Sequence, residues 1–300
     1  MKDVKSRFAL LSVGAALATL MLKFTAYLLT GSVGILSDAL ESLVNLAGAL
    51  IALTALKIAA KPADKTHPYG HDKAEYFSSG AEGTLILIAA GSIAYAAIER
   101  LIRPIPLEQL NWGLIVAGSA SLLNFIVARA LLSAANRYDS ITLEADAKHL
   151  LTDVWTSVGV IAGLLALAVT GWQWLDSLIA LAVAGHIVLT GVNLVRRSID
   201  GLMDYSLPSD ELIQLEAVLN RHRDQFVAYH RLRARKSGSR RFVDLHLVVP
   251  GARSVQEAHD LCERVERDIE KVLPHASVTI HIEPAEDEAS YDDDLRDSAT

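Results

Sequence analysis

The stretch SDALESLVN, Ser37 to Asn45, sets Asp38, Glu41 and Asn45 inside a run otherwise apolar enough for a lipid bilayer. In a helix, positions i, i+3 and i+7 share one face, so the three side chains form a polar stripe. An unpaired charge in hydrocarbon costs at least ~2.5 kcal/mol even on a lenient scale, so such a stripe turns to a partner or to water rather than to lipid. Further along, ADAKHLLTD, Ala145 to Asp153, lays Asp146, His149 and Asp153 at the same spacings in a second apolar run. If Glu41, Asn45, His149 and Asp153 converge, two carboxylates, an imidazole and an amide make a tetrahedral divalent-cation site. The plainer reading is a polar clamp between two helices with no ion.

Around these stripes the chain is 300 residues long and 51 % hydrophobic, with a mean hydropathy of +0.30. It is too apolar for an ordinary soluble domain and long enough for a membrane bundle plus a small soluble one. Stretches of spanning length run Phe8 to Leu29, Val33 to Leu56, Thr84 to Ile102, Trp112 to Leu132, Leu143 to Val169 and Trp172 to Val195, each near the ~20 residues a bilayer requires. They are predicted to be helices, because isolated strands leave backbone groups unsatisfied in lipid. The charged start and apolar run at the N-terminus could pass for a signal peptide, but the run continues to Leu29, which reads as a retained first span. Basic residues gather before the first span and after the second, fourth and sixth, which by the positive-inside rule predicts cytoplasmic termini. Cys262 is the only cysteine, so a metal site must use His, Asp, Glu or Asn.

After Ser206 the pattern turns soluble. PSDELIQLEAVLNRH reads as a helix, YHRLRARKSGSRRFVDLHLVV as a hairpin about KSGS, SVQEAHDLCERVERDIEKVL as an amphipathic helix and ASVTIHIEP as a closing strand. The predicted fold class is therefore a membrane all-α bundle of six transmembrane helices followed by a small cytoplasmic α+β domain, an αββαβ open-faced sandwich. The expected domains are residues 1–204, 205–285 and an acidic disordered tail over 286–300. Two more donor clusters stand out: Asp64, His67 and His71 in the loop KPADKTHPYGHDKAE, and His230, His246, His259, His281 and Glu283 in the soluble part. A solvated loop and scattered surface histidines are the plain alternatives.

These clusters, the six spans, the αββαβ domain and the string PADKTHPYGHDKAE resemble the cation diffusion facilitator family, in particular its bacterial zinc/iron efflux branch, over about residues 5 to 285. The resemblance implies divalent-metal efflux across the bacterial cytoplasmic (inner) membrane by metal/proton antiport, with Zn²⁺ favoured and Fe²⁺, Mn²⁺, Co²⁺ or Cd²⁺ also admitted. It implies a homodimer in the lipid bilayer, divalent metal as substrate and regulator, protons as counter-ion, no nucleic-acid partner and no enzymatic reaction. Glu41, Asn45, His149 and Asp153 would be the transport site, Asp64, His67 and His71 a loop site, and His230, His246, His259, His281 and Glu283 a binuclear site. Lys73 and Asp204 match a charge interlock of the dimer. The branch presents two aspartates, or His and Asp, in its second span where this chain has Glu41 and Asn45, which leaves open whether Asn45 or its candidate substitute Asp38 is the ligand. A membrane-anchored metal sensor without transport is the alternative.

Overall fold

A computed structural model describes residues 2–30, 33–103, 111–170, 172 and 174–291; within its helices the side chains at 2–3, 30, 33–38, 40–41, 111–114, 117, 160–161, 163–170, 176 and 289 fall outside the description. The chain divides into two compact units, Met1–Asp200 and Gly201–Thr300.

The first unit is built from α1 (Lys2–Thr30), α2 (Val33–Ala59), α3 (Ala74–Ile102), α4 (Asn111–Tyr138), α5 (Ile141–Thr170) and α6 (Trp174–Leu202). Five of these, all but α5, are long and apolar enough to cross a membrane, judged on the described residues. In α5 the side chains at 160–161 and 163–170 lie outside the description, so the sixth span expected over Leu143 to Val169 falls partly there. Helices α1, α2, α4 and α5 enclose one apolar core, with Leu53 and Leu56 against Val127, Leu131, Leu143 and Leu150. A second core joins α3, α5 and α6 through Ile86, Ala90, Ala145, Ile187 and Leu194. Small residues let α3 and α6 approach closely. A Cβ on Gly83 would lie 2.9 Å from Val195 Cγ2, and one on Gly191 would lie 2.8 Å from Leu87 Cγ.

Helix α3 begins ten residues before the expected start at Thr84, since it runs from Ala74. The additional turns carry Glu75, Ser78, Ser79, Glu82 and Gly83, all buried, so a polar segment folds as helix because its neighbours cover it. Lys5 on α1 meets Glu75 at 2.7 Å, and Ser140 donates to the other oxygen of the same carboxylate. Such a buried pair resists loss of either partner more than it adds net stability. Large apolar side chains such as Leu29, Ile88, Tyr95 and Leu189 are exposed along the helices, where a soluble fold would cover them.

The second unit contains α7 (Ser209–Arg221), β1 (Ala228–Ser237), β2 (Arg240–Val249), α8 (Val255–Val272) and β3 (Ala276–Pro284). The sheet order is β1-β2-β3, with β1 antiparallel and β3 parallel to β2. Gly238, at φ 58°, closes the hairpin in a backbone region that favours glycine. Ser254 caps α8 in a reciprocal box with Glu257. Leu215 and Leu219 of α7 and Leu261, Val265 and Ile269 of α8 pack on Val243, Leu245 and Leu247 of β2. That leaves the other face of the sheet to polar residues. Residues 286–291, expected in the disordered tail, are instead folded against the domain: Ala285 N–H donates to Val249, Glu286 accepts from Gly251 N–H, and Ser290 donates to Pro284. Residues 292–300 lie outside the described residues.

Candidate metal centres

The first centre lies where α2, α3, α4 and α5 meet. His149 and Asp153, four residues apart on α5, face Asn45 on α2. Asn45 Nδ2 donates to Asp153 Oδ2 at 2.5 Å, and Asn45 Oδ1 lies 2.7 Å from His149 Nε2. Asn45 and His149 are both buried. Asn45 thus links His149 and Asp153, joining three of the four expected residues, and a cation could displace these hydrogen bonds to take their oxygens and nitrogen. The side chains of Asp38 and Glu41 lie outside the described residues. Asp146, on the same α5 stripe, turns to α1, where it accepts a hydrogen bond from Ser12 at 2.8 Å.

Two polar neighbours went unnoticed in the sequence. Asn124 on α4 donates to Asp153 Oδ2 at 2.9 Å. Glu82 on α3 is completely buried, with Oε2 3.5 Å from His149 Nδ1. A lone Asn in SLLNFIV and an acid in GAEGTLILIAAG were the available signals.

The second centre is in the connection between α2 and α3. Asp64 Oδ1 accepts from the backbone N–H of Thr66 and His67 and from the Thr66 hydroxyl, at 2.9, 2.7 and 2.7 Å. These bonds, led by the Thr66 hydroxyl and then the His67 N–H, hold the Asp64 carboxyl well below the usual carboxylate range. His67 and His71 each place a ring nitrogen 3.5 Å from Asp64, and their rings are 4.3 Å apart. Gly70, at φ 90°, turns the chain between the two histidines. The three residues offer donor atoms within 4.8 Å of one another.

The third centre lies on the sheet face opposite α7 and α8. Strand register aligns His230 of β1 with His246 of β2, and His246 with His281 of β3. Glu283 stands two residues beyond His281 and therefore on its face. His246 Nδ1 is 2.8 Å from Glu283 Oε1, His230 Nε2 is 3.1 Å from Glu283 Oε2, and His281 Nε2 is 3.8 Å from Glu283 Oε1. Imidazole and carboxylate in this number suit zinc and similar ions. His230, His246 and Glu283 present donors within 4.8 Å of one another. His259 does not join them. It sits on the outer side of α8, exposed, 3.5 Å from Glu263. Asp204 pairs with Arg235 at 2.9 Å within the second unit, while Lys73 belongs to the first, at the N-terminus of α3.

Long apolar helices around a buried polar cluster, continuing into a small α+β unit, define a multi-pass membrane protein with a soluble domain. The chain belongs to the cation efflux family, the cation diffusion facilitators: residues 9–203 match the cation efflux transmembrane domain and residues 207–285 the cytoplasmic domain of cation efflux proteins. A Synechocystis sp. protein named "Uncharacterized transporter sll1263" is 51 % identical over 284 residues, covering 95 % of this chain and 92 % of the relative. The cation-efflux pump FieF of Shewanella oneidensis is 30 % identical over 275 residues, covering 92 % of each chain. The solved metal-bound C-terminal domain of the CzcD transporter from Thermotoga maritima is 31 % identical, covers 26 % of this chain and 92 % of that chain, and superposes with a TM-score of 0.25.

Proposed function

We propose that the chain is a homodimeric exporter of divalent metal cations, with six membrane-spanning helices, cytoplasmic termini and Zn²⁺ as the favoured cargo, working by metal/proton antiport. The observation that carries the reading is the contact of Asn45, His149 and Asp153 across α2 and α5, deep in the apolar unit. Family membership and the FieF relative support efflux as the direction. Glu41 completes the donor set in this reading.

The cation loads from the cytoplasm onto this cluster, and a rocking motion opens it to the other side. Removing the cation leaves carboxylates and an imidazole crowded together, a charge arrangement that favours proton uptake. His149 is the natural coupling group, since an imidazole must be neutral to bind a metal. The loop trio relays or regulates, and the sheet cluster senses metal and tightens the dimer, with Lys73 and Asp204 forming its charge interlock.

Reconstituted into proteoliposomes, the wild-type chain exchanges Zn²⁺ against a proton gradient, and Asp153→Ala and His149→Ala fall to background flux while remaining folded dimers. Normal flux in either variant defeats the transport-site assignment. Zn²⁺ binding without any flux in the wild type would favour a membrane-anchored sensor.

A further inference from the structure

Glu82 has no part in the mechanism above, yet its placement is unusual. Its side chain is fully buried, and neither carboxylate oxygen has a hydrogen-bond partner among the described residues. Buried charged groups are nearly always paired, so an unpartnered one marks a functional position. Gly48 makes room for it: a Cβ there would stand 3.1 Å from both oxygens, so the carboxylate rests on the backbone of α2 one turn from Asn45. The group it faces is His149 Nδ1, 3.5 Å away, itself buried and without a hydrogen bond among the described residues.

The two nitrogens of His149 therefore look at different residues. Nε2 faces Asn45, which is bonded to Asp153, whereas Nδ1 faces Glu82. Ring lone pairs diverge, so a cation held by Nε2 with Asn45 and Asp153 is not held by Glu82 through the opposite edge. An imidazole that binds metal through one nitrogen keeps its proton on the other, and a carboxylate there fixes both tautomer and ring orientation. We propose that Glu82 is a positioning residue of the transport site, whose carboxylate accepts the His149 Nδ1–H so that Nε2 presents its lone pair to the divalent cation. The proposal rests on His149 being a transport ligand.

The test is Zn²⁺ calorimetry on the full-length protein in detergent, in an Asp64→Ala/His246→Ala background that weakens the two other centres, with Zn²⁺ flux measured in parallel. Glu82→Ala is expected to weaken membrane-site affinity by about ten- to a hundredfold, the usual cost of losing a ligand-orienting partner. Glu82→Gln, which keeps an acceptor oxygen in place, restores most of the affinity, to within about threefold of the parent if the hydrogen bond rather than the charge is what matters. If the cavity unfolds Glu82→Ala, Glu82→Met supplies the volume without an acceptor. A His149→Ala/Glu82→Ala double variant binds no more weakly than His149→Ala alone, because Glu82 acts through the ring. The proposal is overturned by parental affinity in Glu82→Ala, by equal losses in Glu82→Gln and Glu82→Ala, or by additive losses in the double variant. Unchanged membrane-site binding in His149→Ala overturns the transport-site reading itself; loss in His149→Ala with none in Glu82→Ala overturns the positioning role alone.

Discussion

Asn45 supplies a neutral amide at a point where a second carboxylate would repel Asp153. Its Nδ2 donates to Asp153 while its Oδ1 faces His149, so it bridges an acid and an imidazole. Asn45→Asp replaces that donor with another acceptor, which crowds negative charge and gives an incoming cation one more unit of attraction. The expected result is Zn²⁺ and Cd²⁺ binding tighter by about tenfold, or ~1.4 kcal/mol, with slower release. Competition uptake against Mn²⁺ and Fe²⁺ checks it; unchanged selectivity together with an inactive Asp38→Asn would hand the ligand role to Asp38. At the loop, Asp64 follows a simpler rule. Its native pKa is depressed, so its charge contributes fully above its unfolded value, ~3.9, and is lost only as pH falls through the lower native value. Between about pH 5 and 8 the Asp64 carboxylate therefore stays charged, so Asp64→Asn should weaken Zn²⁺ binding at the loop centre throughout that range, and a calorimetric pH series in which the variant matches the wild type would contradict it. Nor does Cys262 offer a thiolate. Burial, then the nearby Glu266 charge, pushes it up to about 11, in keeping with its place on the core-facing side of α8.

At the scale of elements, α8 shows how local chemistry fixes a boundary. The Ser254 hydroxyl accepts from Glu257 N–H while the Glu257 carboxylate accepts from Ser254 N–H, satisfying donors that an uncapped helix exposes. Ser254→Ala should destabilise the C-terminal domain by about 1 kcal/mol, seen as a lower urea midpoint at unchanged slope. Helix α8 and strand β3 were legible because each has one dominant period, helical in VQEAHDLCERVERDIEKV and alternating in ASVTIHIEP. The sheet histidines were legible for the same reason, since period two puts His281 and Glu283 on one face. Helix α3 was legible only in part. Hydropathy reads AEYFSSGAEG as a polar approach to the membrane, whereas contacts with α5 and α6 make it helix and bury Glu82 within it. Asn124 escaped for a related reason: one amide in an apolar run has no period, and its meaning appears only when α4 packs on α5 beside Asp153. His259 resembled its fellow histidines in type and not in placement, because the apolar stripe of α8 through Leu261, Val265 and Ile269 turns it outward.

For the whole molecule, the proposed function gives the two units that divide at Gly201 two jobs with different physical needs. Moving an ion demands helices that can shift against one another, and the small-residue contacts of α3 with α6 are compatible with sliding. Sensing an ion demands a fixed set of donors, and a strand register supplies one: His230, His246 and His281 are held in line by backbone hydrogen bonds whatever the ions do. The core of the second unit is closed by its own α7 and α8, so the segment Pro208 to Pro284 is expected to fold by itself and to bind Zn²⁺ as a dimer. His246→Ala removes the central histidine of the row and should weaken that binding by at least about tenfold while leaving the fold, read by circular dichroism, unchanged. Calorimetry showing no uptake at micromolar Zn²⁺, or equal uptake by His246→Ala, would reduce the row to surface histidines. The full chain carrying His246→Ala should then retain Asp153-dependent Zn²⁺ flux at saturating metal and lose only its sharp rise at low cytoplasmic Zn²⁺, because that substitution touches the sensor and not the path. Complete loss of flux at saturation would instead make the sheet cluster an obligatory station for the ion.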